Sequence, residues 1–216
     1  MNAIVRGPSK RLQAVRHHAV AATSTYEDAQ EVVVNWSGLA YACSNVDFSY
    51  ELAKLATPTP GDMRAPGAAT GVFALECAMD ELAAKAHIDP VQLRLANWTD
   101  RDQNEDLPIT SKALKACYEQ AAARFGWNQR TAQPRSMRDG AELIGFGMAS
   151  GAWDAGLAPF PTRARVTWRV DGRIEVAAGA SDIGTGTYTI LAQIAAEAFG
   201  IEPSEVEVRL GDSRLP

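Results

Sequence analysis

With 216 residues, 46% hydrophobic and 22% charged, the chain is long enough for one large or two small cores and too apolar to be disordered throughout. A net charge of −5 with no basic cluster argues against a nucleic-acid partner, and no apolar run reaches membrane-spanning length. The opening Met1-Asn2-Ala3-Ile4-Val5-Arg6-Gly7-Pro8 lacks the charged-then-apolar layout of a secretion signal, so a cytoplasmic location is the expectation.

In chain order, the alternating run Arg11 to Ala22 predicts a sheet strand with no partner ahead of it. Glu31 to Trp36 also reads as a strand, and Tyr41 to Ala56 as a further strand or pair. From Thr57 to Gly71, three prolines and three glycines forbid regular structure and predict a long rigid loop. It leads into a helix from about Thr70 to Ala86, with Leu75, Met79, Leu82 and Ala86 facing inward and Asp80, Glu81 and Lys85 outward. Glu76 is expected on its surface or in a structural hydrogen bond. Asp89-Pro90 opens a second helix, with Asp as cap and Pro in the first turn, and Thr110 to Phe125 is an amphipathic third that stops at Gly126.

The polar stretch from Asn128 to Gly140 reads as a linker, which predicts domains over 1–138 and 139–216. Glu142 to Trp153 reads as a glycine-interrupted strand, followed by a loop from Asp154 to Pro161. Arg163 to Val170, an Asp171-Gly172 turn and Ile174 to Ala178 predict a hairpin. Thr187 to Phe199 carries Ile190, Leu191, Ile194, Ala195 and Ala198 at helical spacing, and Gly200 is its stop. Glu205 to Leu210 is the last strand. Open sheet edges are expected at 11–22 and 205–210, and with them self-association.

Cys43, Cys77 and Cys117 are too far apart for a disulfide framework or a zinc site, and Cys77 is expected to be buried in an apolar run. His17 and His18 point to opposite faces of a strand, so no metal ligated by the protein is expected. The most informative stretch runs from Ile174 to Gly200: a strand, the turn Gly184-Thr185-Gly186-Thr187, then a helix. Such a turn presents unpaired N–H groups to an anion, and Thr185 and Thr187 add hydroxyls. The same residues also admit a plain capped turn in which glycine serves only the left-handed backbone. No Lys-Ser/Thr pair completes a P-loop and no G-x-G-x-x-G a dinucleotide fingerprint, which disfavours a generic nucleotide binder.

Three segments, in one order, resemble the molybdenum-binding subunit of the xanthine dehydrogenase/aldehyde oxidase family, in particular its bacterial aldehyde-oxidoreductase-type members. The first is Pro58-Thr59-Pro60-Gly61-Asp62-Met63-Arg64-Ala65-Pro66-Gly67, continuing through Phe73-Ala74-Leu75-Glu76 to Asp89-Pro90-Val91-Gln92-Leu93-Arg94 and Asn97. The second is Ser111-Lys112-Ala113-Leu114 with Phe125-Gly126-Trp127, and the third runs from Asp182-Ile183-Gly184-Thr185-Gly186-Thr187 to Leu210-Gly211-Asp212-Ser213. The resemblance implies an α+β fold of mixed sheets packed with helices. It also implies a molybdopterin cofactor, in its cytosine dinucleotide form, whose molybdenum is held by the pterin dithiolene. Such enzymes hydroxylate aldehydes or N-heterocycles with water-derived oxygen, and keep iron–sulfur clusters and FAD on partner subunits.

By the same resemblance Arg64, Ala65, Pro66 and Gly67 form one cofactor loop, and Ile183, Gly184, Thr185, Gly186 and Thr187 a second. Both are expected to fold around one metallopterin. Pro66 stands where xanthine-type enzymes place an aromatic residue, which favours an aldehyde over a purine, and Thr185 stands where many members have Gln. Pro66 and Trp153 are the substrate-side candidates. The family's general-base glutamate, in a downstream Gly-Glu-Pro-like loop, and its upstream Gly-Gly-Phe-type loop are not among these 216 residues. No catalytic residue is therefore expected in this chain, which would act with the remainder of a molybdenum subunit and be inactive alone. The alternative is a non-catalytic remnant of the same fold.

Overall fold

The structure, a computed structural model, describes residues 2–6, 9–153 and 161–216; the loop expected over 154–160 lies outside the described residues, as do Met1, Gly7 and Pro8. Two compact units are present, Met1–Asp154 and Ala155–Pro216, and the division falls beyond the 128–140 connector.

In the first unit, β2 (Arg11–Ser24) is the middle strand of three, flanked by β1 (Asn2–Arg6), antiparallel, and β3 (Val46–Leu55), parallel. The strand expected over 11–22 to lack a neighbour therefore has one on each side, β1 along residues 11–16 and β3 along 15–24. Burial in β2 changes phase between Leu12 and Val15. The cause is a bulge: Ile4 pairs with Ala14 and Val5 with Leu12, leaving Gln13 as the extra residue that turns the strand over. Leu12 and Val15 then both join the core formed by Ala40, Tyr41, Leu75, Met79, Ala83 and Leu93.

The strand expected over 31–36 does not form. Val34 N–H finds the Tyr50 hydroxyl at 2.9 Å instead of a neighbouring strand, and Trp36 begins a short helix, α1 (Trp36–Ala40). The region 41–56 gives the single strand β3. α2 (Ala68–Ala86) buries Leu75, Met79 and Ala83, and α3 (Pro90–Asn97) is capped by Asp89, whose carboxylate accepts from Gln92 N–H at 3.0 Å. Cys77 is exposed, contrary to expectation, because it lies one residue past the buried Glu76 and faces the solvent side of α2. α4 (Leu114–Phe125) ends where Gly126 adopts a left-handed conformation at φ 76°.

Two small hairpins complete the unit, β4 (Arg101–Asp102) with β5 (Leu107–Pro108) and β6 (Arg138–Asp139) with β7 (Glu142–Leu143). The strand expected over 142–153 is paired only at its first two residues; 144–153 run on without a ladder partner among the described residues.

In the second unit β9 (Ile174–Ala177) lies between β8 (Arg165–Trp168), antiparallel, and β10 (Val206–Arg209), parallel. The parallel pair is joined through α5 (Thr187–Phe199), which packs Leu191 and Ala195 on Ile174 and Val176. Of the expected apolar stripe only Leu191 and Ala195 are covered, since Ile190 and Ile194 remain 48% and 59% exposed and Ala198 is exposed as well. Among the described residues no helix is long and apolar enough to cross a membrane and no His/Cys/Asp/Glu group suits a metal ion.

Candidate functional site

The Met63–Gly67 loop is set by close backbone approach. A Cβ on Gly67 would lie 2.3 Å from the Val32 carbonyl oxygen, and one on Gly71 would lie 2.0 Å from that of Val33, so only glycine lets α2 press its first turn on residues 32–33. Ala65 and Gly67 both have positive φ, 50° and 69°, which turns the loop into the helix. Upstream, Ser24 Oγ and Thr59 Oγ1 bond at 2.6 Å and fix the proline-rich approach. Arg64 is exposed and has no ion-pair or hydrogen-bond partner among the described residues, and the N–H groups of Gly67 and Ala68 have no backbone acceptor there.

Beside this loop lies an open cleft of about 500 Å³, walled by Ala65, Ala69, Val72 and Phe73 on one side and Ala152 and Trp153 on the other. It contains no charged side chain. Trp153 stacks on Trp36 with ring centroids 4.8 Å apart. Of the two residues expected on the substrate side, Trp153 thus lines the cleft; Pro66 is half-buried between Ala65 and Gly67 and is not among its walls.

Behind the cleft is a buried polar network in which Glu76 makes the structural hydrogen bonds that were one of its two expected roles, with partners that sequence reasoning did not name. Glu76 Oε1 accepts from the Tyr41 hydroxyl at 2.5 Å, and Oε2 accepts from Arg94 Nε at 2.9 Å and from Ser150 N–H at 2.7 Å. Ser150 Oγ bonds the hydroxyls of Tyr41 and Tyr118 at 2.9 and 2.6 Å. Arg94, fully buried, also donates to the Pro90 and Glu76 carbonyls and lies 2.9 Å from Asp80 Oδ1, a pair without hydrogen-bond alignment. Burial first, then the Glu76 carboxylate, push the Tyr41 phenol well above its ordinary 10.0, so it stays a donor. Burial works against the Arg94 charge, but the Glu76 and Asp80 carboxylates favour it, and the guanidinium stays above its ordinary value. One signal was available: Glu76 is three residues from Met79 and seven from Ala83, on the face α2 buries.

In the second unit, Gly184 and Gly186 have φ of 97° and 83°, and a Cβ on either would meet nothing within 4 Å. These glycines serve backbone handedness. Asp182 Oδ1 accepts from Gly184 N–H at 2.7 Å and Gly186 N–H at 3.3 Å, and these bonds hold its carboxyl below the ordinary range. Thr185 and Thr187 hydroxyls are 3.5 Å apart and Ile183 is exposed. Asp two residues before Gly is an Asx-turn signal in the sequence, and it was not read as one.

The molybdopterin cofactor-binding domain is matched twice by family models, over residues 8–98 and 120–216. The chain belongs to the molybdenum-binding subunits of the xanthine dehydrogenase/aldehyde oxidase family. It is 44% identical over 187 residues to the aldehyde oxidoreductase molybdenum-binding subunit PaoC of Escherichia coli, covering 86% of this chain and 25% of that protein. It is 35% identical over 161 residues to an Escherichia coli xanthine dehydrogenase molybdenum-binding subunit, covering 70% of this chain and 21% of that one. The aldehyde oxidoreductase of Desulfovibrio desulfuricans shares the fold, with a TM-score of 0.74 at 21% identity over 95% of this chain and 24% of the other. The chain thus spans about a quarter of the length of the curated relatives it matches. The expected α+β architecture of mixed sheets and helices is the family's.

Molybdopterin is anionic, and the first loop fits it in kind: Arg64 is an exposed, unpaired cation, although at the start of the 19-residue helix only the Gly67 and Ala68 N–H groups lack a backbone acceptor and Ala69 N–H is held by the Ala65 carbonyl. At the second turn the Gly184 and Gly186 N–H groups are held by Asp182, toward which the Thr185 and Tyr188 N–H groups also turn, so the Thr185 and Thr187 hydroxyls are what it offers.

Proposed function

We propose that this chain is the cofactor-binding part of a molybdenum hydroxylase that oxidises aldehydes or N-heterocycles with water-derived oxygen. The observation that carries the reading is the exposed, unpaired Arg64 in the loop that leads into α2, within a chain of this family. In this reading Arg64, Ala65, Pro66 and Gly67 contact the pterin side of molybdopterin, and Ile183, Gly184, Thr185, Gly186 and Thr187 contact the same cofactor, in its cytosine dinucleotide form. When bound, that group supplies the two-electron redox chemistry. The chain's own residues neutralise its charge, orient it and wall off water. The uncharged cleft at Trp153 and Phe73 receives an apolar substrate face, which with Pro66 favours aldehydes over purines.

These 216 residues do not turn over by themselves in this reading, because a general base is supplied by the remainder of a molybdenum subunit, and a lost base costs about 10²–10⁴ in rate. Iron–sulfur and flavin subunits carry the electrons away, in the cytoplasm. Calorimetric titration with molybdopterin cytosine dinucleotide tests the proposal. Binding weakened by Arg64→Ala supports it; binding unaffected by Arg64→Ala removes Arg64 from the site. No binding by the chain favours the second reading, a structural module without cofactor, for which the Asp182 carboxylate on the second turn is the motivating feature.

A further inference from the structure

We propose that Glu76 is a positioning residue whose carboxylate fixes the Ser150–Trp153 segment, and with it the Trp153 wall of the cleft beside Ala65. The meaning of that wall for substrate rests on the function proposed above; the positioning itself does not. From Gly145 to Trp153 the chain has no strand partner among the described residues, so its place has to come from single attachments. Ile144 N–H donates to the Met137 carbonyl, and the Phe146 carbonyl accepts from Arg130 Nε at 3.4 Å. Beyond Phe146, as far as Trp153, one backbone hydrogen bond is present among the described residues, Ser150 N–H to Glu76 Oε2 at 2.7 Å. Trp153 follows three residues later and stacks on Trp36.

A stability role alone does not explain this arrangement. A buried ion pair is weak evidence for stability, since apolar residues of the same volume commonly do as well. What apolar residues lack is the means to hold a backbone N–H at one spot. Here both carboxylate oxygens are used, Oε1 on Tyr41 and Oε2 on Arg94 and Ser150, so Glu76 fixes the segment against α1's following residue, α2 and α3 together. The Ser150 hydroxyl adds Tyr118 of α4 to the same point.

The stacked Trp36–Trp153 pair gives a readout in the chain without cofactor, as an exciton couplet in circular dichroism for which Trp153→Phe is the blank. Glu76→Gln keeps the shape but turns one acceptor oxygen into a donor; the couplet is expected to be lost at temperatures where the variant is still folded. Ser150→Pro deletes the N–H while leaving Glu76, Arg94 and Tyr41 in place, and is expected to lose the couplet too. Ser150→Ala retains the N–H and is expected to keep it. A folded Glu76→Gln with a lower melting point and an undiminished couplet would mean a merely structural residue and overturn the proposal. Hydrogen exchange on the unaltered chain decides the matter where variants do not fold: a Ser150 amide exchanging as fast as those of Ala149 and Gly151 overturns it, and selective protection supports it. Failure of these tests leaves the pterin titration untouched, and failure of that titration leaves these tests intact.

Discussion

The two stretches proposed to hold the cofactor use glycine for different reasons. At Gly67 and Gly71 a side chain has nowhere to go, because the Val32 and Val33 carbonyls occupy the space. At Gly184 and Gly186 the space is empty and the constraint is the sign of φ. The first loop is therefore fixed by tertiary packing, backed by the Glu76–Arg94 network, and the second by its own local geometry and one carboxylate, Asp182. Damage to the first should spread through its unit, whereas damage to the second should stay near the turn.

The largest expected effect is Arg94→Ala, which leaves Glu76 and Asp80 without their cation in the interior; a loss of about 3–5 kcal/mol is expected in urea unfolding. Next is Gly71→Ala, whose methyl must displace α2 from Val33, expected to cost about 1–3 kcal/mol and to perturb Val33 and Val34 amide shifts together with those of the loop. Gly186→Ala meets no atom and pays only for left-handed backbone, about 1–2 kcal/mol, with shift changes confined to the turn and the start of α5. Equal spreading from Gly71→Ala and Gly186→Ala would break the comparison.

The smallest effect, Asp182→Asn, is pH-dependent. Because the folded carboxyl lies below its ordinary value of 3.8, its contribution is present above that value and lost as pH falls through the folded one. The variant should melt below the parent near neutral pH and converge with it in acid. A difference that persists in acid would point to the side chain's shape and not its charge.

The four longer helices, α2 to α5, were legible because their signals are local, whereas α1 was not. Asp89-Pro90 caps α3, and Gly126 and Gly200 take the left-handed conformations that end α4 and α5. Strand status was harder because it depends on a partner far away in the chain. Glu31–Trp36 and Glu142–Trp153 have the right composition, yet the first finds a tyrosine hydroxyl and the second finds Glu76. Conversely, β2 was legible and its two neighbours were not assigned to it. At the candidate site, Arg64 and the glycines were singled out by motif. Asp182 and the Glu76 network were not, since a carboxylate in a polar turn or on a helix reveals its partners only when the chain is folded.

The β2–β3 ladder carries a kinetic consequence. Every rung joins residues 31 apart, His18 to Ser49 for example, and the strands run parallel, so no hairpin can nucleate them. Residues 25–45 must first close a loop, and non-local pairing of this kind is slow. Until it closes, the long middle strand presents a bare flank to other chains, so refolding yield should fall with protein concentration even where the finished molecule is comfortably stable.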